Sequence, residues 1–433
     1  LFRLSPARSR PPRGRGTALY RPLGEYRSSF FDQKEVIQLS GALAGIKVLD
    51  LSRVLAGPFC TMILGDLGAE IIKVEAPGGS DDTRKWGPPF QKGVSAYYLC
   101  ANRNKKSLTV NLKSAQGKVI IQKLVKQSDV MIHNFKSGTM ERLGLGYEAI
   151  RQINPEMIYC SITGFGETGP YKHLPGYDFI IQAMSGLMSI TGDDKSGPQK
   201  VGVAITDVLT GLYACIGIQA ALIERQHSGS GQKLDISLYD SAVSSLVNIA
   251  SNYLISGKIP ERLGNYHANI VPYQTFQTKD GEMVIAVGND RQFQTLCQII
   301  QKPELAEDPR FLSNPDRVEN RHELTSLLQA EFLNHTTNHW KELCHRYSIP
   351  CGPIQSLEDL VDDPQLKERE MFVTGKHPTA EEITMVGSPL KLSRTPVDYR
   401  KHPPDPGEHT EDILLSLGYK KEELKELKKN KVI

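Results

Sequence analysis

No CxxC pair, HExxH, P-loop or GxSxG occurs in these 433 residues. Their absence removes the sequence signals of structural zinc, zinc proteases, P-loop nucleotide hydrolysis and nucleophile-elbow hydrolases. Cysteine is scarce, odd in number (7) and scattered, which argues for a reducing compartment and against a disulfide framework. No run reaches the ~18 consecutive apolar residues of a membrane span, so no transmembrane helix is expected. An excess of one charge is missing too. Of 52 basic and 49 acidic residues, seven arginines and only Glu25 fall in residues 1–30, leaving 45 basic and 48 acidic residues beyond them. A body with net charge −3 does not suit nucleic acid, and a small-molecule partner is expected. The leader itself is Arg-rich, Ser-bearing and acid-poor, the composition of a mitochondrial transit segment. A matrix location is therefore expected.

What is present is alternation. Ile46–Leu51, Glu70–Glu75, Ser107–Leu112, Val130–His133 and Met157–Ile162 read as strands, with helices over 58–67 and 115–126 between them. That order predicts an α/β fold, a Rossmann-like large domain with a parallel sheet covered by helices. Small-residue helices follow over 208–225 and 241–255. Lys279-Asp280-Gly281 between alternating runs marks a hairpin over 273–287, opening a smaller α+β domain at 270–350. The expected organisation is a leader (1–30), a large domain (40–258), the small domain, and a return segment (351–433) whose charged stretch 411–429 reads as a solvated helix.

Local motifs leave the chemistry open. Gly164-Phe165-Gly166-Glu167-Thr168-Gly169 is a literal GxGxxG after a strand, yet Pro170 and Pro175 forbid the helix that a dinucleotide needs, so a glycine turn near an active site is the better reading. His335 and His339 lie at metal-compatible spacing without a third ligand and read as surface histidines. Arg103-Asn104-Lys105-Lys106 is either a solvated turn or a phosphate contact. Asp178 and Asp207 each precede a predicted helix and read as N-caps. A carboxylate held ionised at a helix N-terminus can also be a nucleophile. Spacing does not choose between them.

Longer runs do. VLDLSRVLAGP (48–58), LGAEIIKVEA (67–76), NKKS (104–107), Asn134-Phe135 with Gly138, LGLGY (143–147), 161–170, and VGVAITDVLTGLYACIGIQAAL (201–222) followed by 229–232 resemble the class III CoA-transferases, the formyl-CoA transferase and carnitine CoA-transferase group. The likeness runs from about residue 40 to beyond 400. It implies Asp207 as the nucleophile, forming a mixed anhydride and then an aspartyl-CoA thioester. It also implies CoA contacts at Leu55, Ala56, Val110, Asn111, Leu112, Lys113, Asn134, Phe135, Lys136, Arg142, Leu174, Pro175, Gly176 and Tyr177. CoA thioesters would be substrates, with no separate cofactor or metal, and the chain would form an interlocked homodimer. Leu55 and Ala76 stand where formyl-CoA transferase has glutamine and arginine, and its glycine-rich loop is altered at 264–269. Those departures, with TGLYA and NIVPYQTF (269–276), point to succinyl-CoA as donor and glutarate or a related dicarboxylate as acceptor. Tyr177 occupies the histidine position of the α-methylacyl-CoA racemases, which argues against two-base racemisation. A non-catalytic CoA-binding relative and a nucleotide-dependent oxidoreductase are the remaining alternatives.

Overall fold

β-Branched runs flanked by helical periods condense into a parallel sheet in the computed structural model, which describes residues 41–433. The leader 1–30 lies outside the described residues. The strands are β1 (Lys47–Asp50), β2 (Glu70–Glu75), β3 (Lys105–Thr109), β4 (Val130–His133), β5 (Ile158–Thr163) and β6 (Lys233–Ser237). Their spatial order is β6-β5-β4-β1-β2-β3, all parallel. Period-two alternation sends Leu49, Leu108, Met131 and Tyr159 to one buried face, and Val48, Ile71, Val130, Ile132 and Cys160 to the other. Both faces are covered, hence the near-continuous apolar runs.

On the first face lies α2 (Ala115–Val125), with α3 (Thr139–Leu143) following β4. On the second lie α1 (Ala56–Asp66) and the 24-residue α5 (Ile205–Ser228), preceded by α4 (Asp178–Met184) and followed by α6 (Leu238–Ser244) and α7 (Val247–Ser256). A side chain at Gly211 would stand 2.7 Å from the Ala56 carbonyl oxygen, so only glycine lets α5 approach α1 this closely. Contrary to the sequence expectation, α5 is long and apolar enough to cross a membrane by length and composition. Its inner face, including Ala214, Cys215, Ile218 and Ala221, packs against the sheet, which accounts for that composition in a core helix. The single helix expected over 241–255 is broken between α6 and α7, where Ser245 Oγ donates to the Ala242 carbonyl at 2.7 Å, a side-chain bond that competes with the helical ladder.

A separate core gathers Val271, Phe276, Met283, Ile285, Phe293, Phe332 and Trp340. It is built from the antiparallel strands β7 (Tyr273–Gln277), β8 (Glu282–Ala286) and β9 (Cys351–Pro353), with α8 (Asp290–Ile299), α9 (Arg321–Phe332) and α10 (Thr337–Arg346). The hairpin turns at Lys279-Asp280-Gly281, and Asp280 accepts from the Thr337 N–H at 2.7 Å. The chain then forms a second hairpin, β10 (Phe372–His377) and β11 (Glu381–Val386), and returns to the large sheet. There the free edge of β3 is covered. The Thr410 hydroxyl accepts from the Thr109 N–H at 3.1 Å, and His409 Nδ1 accepts from the Ser107 N–H at 3.3 Å. The charged stretch 411–429 is not one solvated helix. It breaks near Gly418 into α11 (Thr410–Ser416) and α12 (Lys421–Lys429), which bury Ile413, Leu414, Leu424 and Leu427 in the first-face core.

Beneath the carboxyl ends of the strands runs a buried ion network. Asp50 accepts from Ser52 N–H (2.8 Å), Thr61 Oγ1 (2.6 Å) and Lys105 Nζ (3.3 Å), while Lys73 Nζ donates to Asp81 at 2.8 Å. Both lysines are fully buried, and burial pulls Lys105 down to about 8. Neither reading of the 103–106 cluster survives. Arg103 pairs with Asp66, Lys105 with Asp50 and Lys106 with Glu70, so these cations are structural and not free for phosphates.

Candidate active site

The order of the sheet reverses between β1 and β4, and in open α/β sheets such a switch point leaves a crevice at the carboxyl ends of the strands. Here the crevice is tied across. Asn134, just past β4, accepts from the Arg53 N–H at 3.0 Å and donates to the Arg53 carbonyl at 2.6 Å. Next to Arg53, Val54 has φ +71°, a strained conformation for a β-branched residue. Its N–H donates to Asp81 at 3.1 Å, so the ion network beneath holds this turn in place.

A cavity of about 320 Å³ opens there. Ala56 represents the first turn of α1, which no side chain caps. Asn134, Phe135 and Lys136 follow β4, Arg142 comes from α3, and Gly164 follows β5. Leu174, Pro175, Gly176 and Tyr177 form the opposing wall, with Asp207 of α5 also lining the cavity. Gly164 and Gly176 meet so closely that a Cβ on Gly164 would stand 2.6 Å from the Gly176 Cα. The GxGxxG segment is thus a close crossing in the cavity wall, and no helix starts within it.

Of the positions singled out from the sequence, Ala56, 134–136, Arg142, 174–177 and Asp207 converge on this cavity. Leu55 does not line it; it is the half-buried residue preceding α1. Val110, Asn111, Leu112 and Lys113 also lie outside its wall. Val110 is in the core, and the Asn111 N–H donates to the Val432 carbonyl at 2.7 Å. Sequence reasoning missed the charged Arg53, Asp82 and Lys172, and His173, which also line it. Arg53 was the one with a signal: it lies in the turn between the first strand and the first helix of the βα unit, where such crevices form.

The two aspartates separate. Asp178 is the first residue of α4 but does not cap it; Oδ1 accepts from Thr206 N (2.8 Å) and Thr206 Oγ1 (2.7 Å), and Oδ2 accepts from Gln182 Nε2 (2.7 Å). It caps α5, whose own preceding residue, Ala204, has no side-chain acceptor. Asp207 is no N-cap either. It occupies the third position of α5, partly buried, and burial, then the nearby Asp178 charge, push its carboxyl up to about 7. The helix N-terminus does not keep it strongly acidic, because loss of water outweighs the favourable dipole. His335 and His339 stack on the small unit at 4.1 Å, exposed, and no group of metal-binding side chains occurs among the described residues.

Residues 43–410 match the sequence model of CoA-transferase family III. The chain is 47% identical over 372 residues to the succinyl-CoA:glutarate CoA-transferase of Mus musculus, covering 86% of this chain and 85% of that protein. It is 44% identical over 381 residues to the succinate–glutarate CoA-transferase of Agrobacterium fabrum, covering 87% and 95%. A crystal structure of a CAIB/BAIF family protein from Brucella suis superposes with a TM-score of 0.77 at 43% identity, covering 87% of this chain and all of that one.

Proposed function

Because the chain belongs to CoA-transferase family III, we propose that it moves CoA from succinyl-CoA to glutarate or a closely similar dicarboxylate, with Asp207 as the nucleophile. The observation that carries the substrate reading is identity of 44–47%, across most of both chains, to proteins named for that reaction. The position of Asp207 in a cavity lined by Arg53, Lys136, Arg142 and Lys172 supports the mechanism. Asp178 is the weaker candidate, since both its carboxylate oxygens are already engaged as acceptors.

The Asp207 carboxylate attacks the succinyl-CoA carbonyl, the C–S bond breaks, and a succinyl-aspartyl anhydride and CoA thiolate result. The thiolate then attacks the aspartyl carbonyl, giving aspartyl-CoA thioester and free succinate. A glutarate carboxylate repeats the exchange, and the thiolate finally takes the glutaryl group, restoring Asp207. Each intermediate is an activated acyl group, so no step crosses a deep well. A carboxyl pushed up to about 7 is more basic than the acceptor acid, hence a stronger nucleophile once ionised. The orphan N–H groups of the first turn of α1 suit the oxyanion of each tetrahedral intermediate. No metal or redox group takes part in this sequence.

Two further assignments belong to this reading. The chain acts as a homodimer: the outer face of α5 and α7 exposes Leu212, Ile216, Ile223, Val247, Leu254 and Ile255, an apolar surface of the kind that marks protein contacts. It works in the mitochondrial matrix, as the composition of residues 1–30 indicates.

Purified protein lacking the leader, given succinyl-CoA and glutarate, should yield glutaryl-CoA by mass spectrometry. Failure to form it, with activity on another donor and carboxylate pair, would overturn the substrate reading. In the same assay Gly164→Ala is expected to raise KM for succinyl-CoA at least ~10-fold, because the new methyl group displaces the 174–177 wall. An unchanged KM would show that this wall does not hold CoA.

A further inference from the structure

Asp207 enters the cavity from the first turn of a helix that does not cap itself. Two residues of α4 do that work. Besides the Asp178 contacts to Thr206, Gln182 Oε1 accepts from the Val201 N–H at 2.9 Å, so the Asp178–Gln182 pair grips the chain on both sides of the 202–205 segment leading into α5. Gln182 and Thr206 are completely buried, and the grip spans 28 residues of sequence between Asp178 and Thr206. A surface cap would have no need of this depth. The arrangement also places a second carboxylate near the first.

We propose that Asp178 is a positioning residue for CoA transfer: its carboxylate fixes the turn that presents Asp207. Its charge, which with burial raises the Asp207 carboxyl, also opposes ionisation of the nucleophile. This rests on Asp207 being the residue that carries CoA. Removing either function has a distinct signature. Misplacing a nucleophile by about 1 Å costs on the order of 10²-fold in rate without changing the distant contacts that bind substrate. Removing a neighbouring negative charge lets the remaining carboxyl ionise at lower pH. The other groups to consider around Asp207 are Tyr97, which burial and then the Asp207 and Asp178 charges push up to about 12, and across the cavity Arg53, Asp82, Lys136, Arg142, Lys172 and His173. An Asp178 variant replaces none of these side chains, and the titration of the substrates is common to every variant.

The test compares wild type, Asp178→Ala, Asp178→Asn and Asp207→Asn in full pH profiles of glutaryl-CoA formation between about pH 5 and 9. Asp178→Ala, which leaves Thr206 without its acceptor, is expected to lower kcat ~100-fold with KM for succinyl-CoA within about threefold. Asp178→Asn keeps one carbonyl oxygen for Thr206. It should recover at least ~10-fold of that loss at pH 8, and its acid limb should move down by ~0.5 pH unit or more. An acid limb that superimposes on that of wild type overturns the inference, as does equal kcat in Asp178→Ala. If Asp178→Ala does not fold, Asp178→Asn alone decides. A wild type that makes no glutaryl-CoA, or an Asp207→Asn variant as active as wild type, defeats the underlying reading. An active wild type, an inactive Asp207→Asn and an unshifted Asp178→Asn profile defeat only the role of Asp178.

Discussion

Asp207→Asn is expected to abolish CoA transfer, by at least ~10³-fold in kcat, while making the protein more stable at pH 8 than its parent. The first half follows from covalent chemistry: an amide cannot form the anhydride, and only binding and orientation remain. The second follows from linkage. The Asp207 carboxyl sits at about 7 in the folded chain against an ordinary 3.8, so the folded state holds its proton more tightly than the unfolded one. Its ionisation therefore costs stability, a cost absent below about pH 4, growing through about pH 7 and complete above it. Each pH unit between folded and unfolded pKa corresponds to about 1.4 kcal/mol. With the cavity open to water, a gain on the order of 2 kcal/mol is expected from removing the charge. Thermal unfolding of both proteins at pH 4 and pH 8 checks this. A variant that is inactive and less stable at pH 8 would mean that asparagine disrupts the turn, and its inactivity would then say nothing about chemistry.

The largest loss of stability is expected from Asp50→Ala, on the order of 3–5 kcal/mol by urea unfolding. Asp50 is fully buried and faces Lys105 at 3.3 Å, with Lys73 also acting on it. Removing it leaves Lys105 with only the Pro58 carbonyl (2.9 Å) and Asn102 (3.0 Å) as acceptors. The Ser52 hydroxyl and N–H lose their acceptor as well, and the Thr61 hydroxyl keeps only its longer bonds to the Gly57 and Pro58 carbonyls. Adding Lys105→Met should recover part of the loss, since an apolar residue there no longer needs a counter-charge. A loss below ~1 kcal/mol for the single variant would mean that water reaches the network.

The elements around this network were legible to very different degrees. Val130–His133 is a strand with the boundaries its sequence suggests, because four apolar or buried positions lie between turn residues. By contrast β6 (Lys233–Ser237) gives no clear signal: it is a half-exposed edge strand with two charges in five residues, and its partner β5 lies some 70 residues earlier. Separation along the chain also hid the fate of the 103–106 cluster. Arg103 meets Asp66 37 residues away and Lys105 meets Asp50 55 residues away, and neither pairing leaves a local trace. Local pattern correctly placed Asp178 and Asp207 near helix starts. It took three dimensions to see that Asp178 serves the other helix, whereas the preference for Asp207 as nucleophile came from the family resemblance.

The covering of β3 by residues beyond 400 has a consequence for how the protein is made. Thr109 and Thr410, which close the edge of the sheet together, are 301 residues apart. At roughly 5–20 residues per second, translation separates them by about 15–60 s. Throughout that interval the nascent sheet carries an open, pairing-competent edge and a core lacking Ile413, Leu414, Leu424 and Leu427. The large sheet therefore cannot close that edge until residues beyond 400 have been made. Until then the strands made first expose an edge and apolar surface that invite pairing with other unfinished chains.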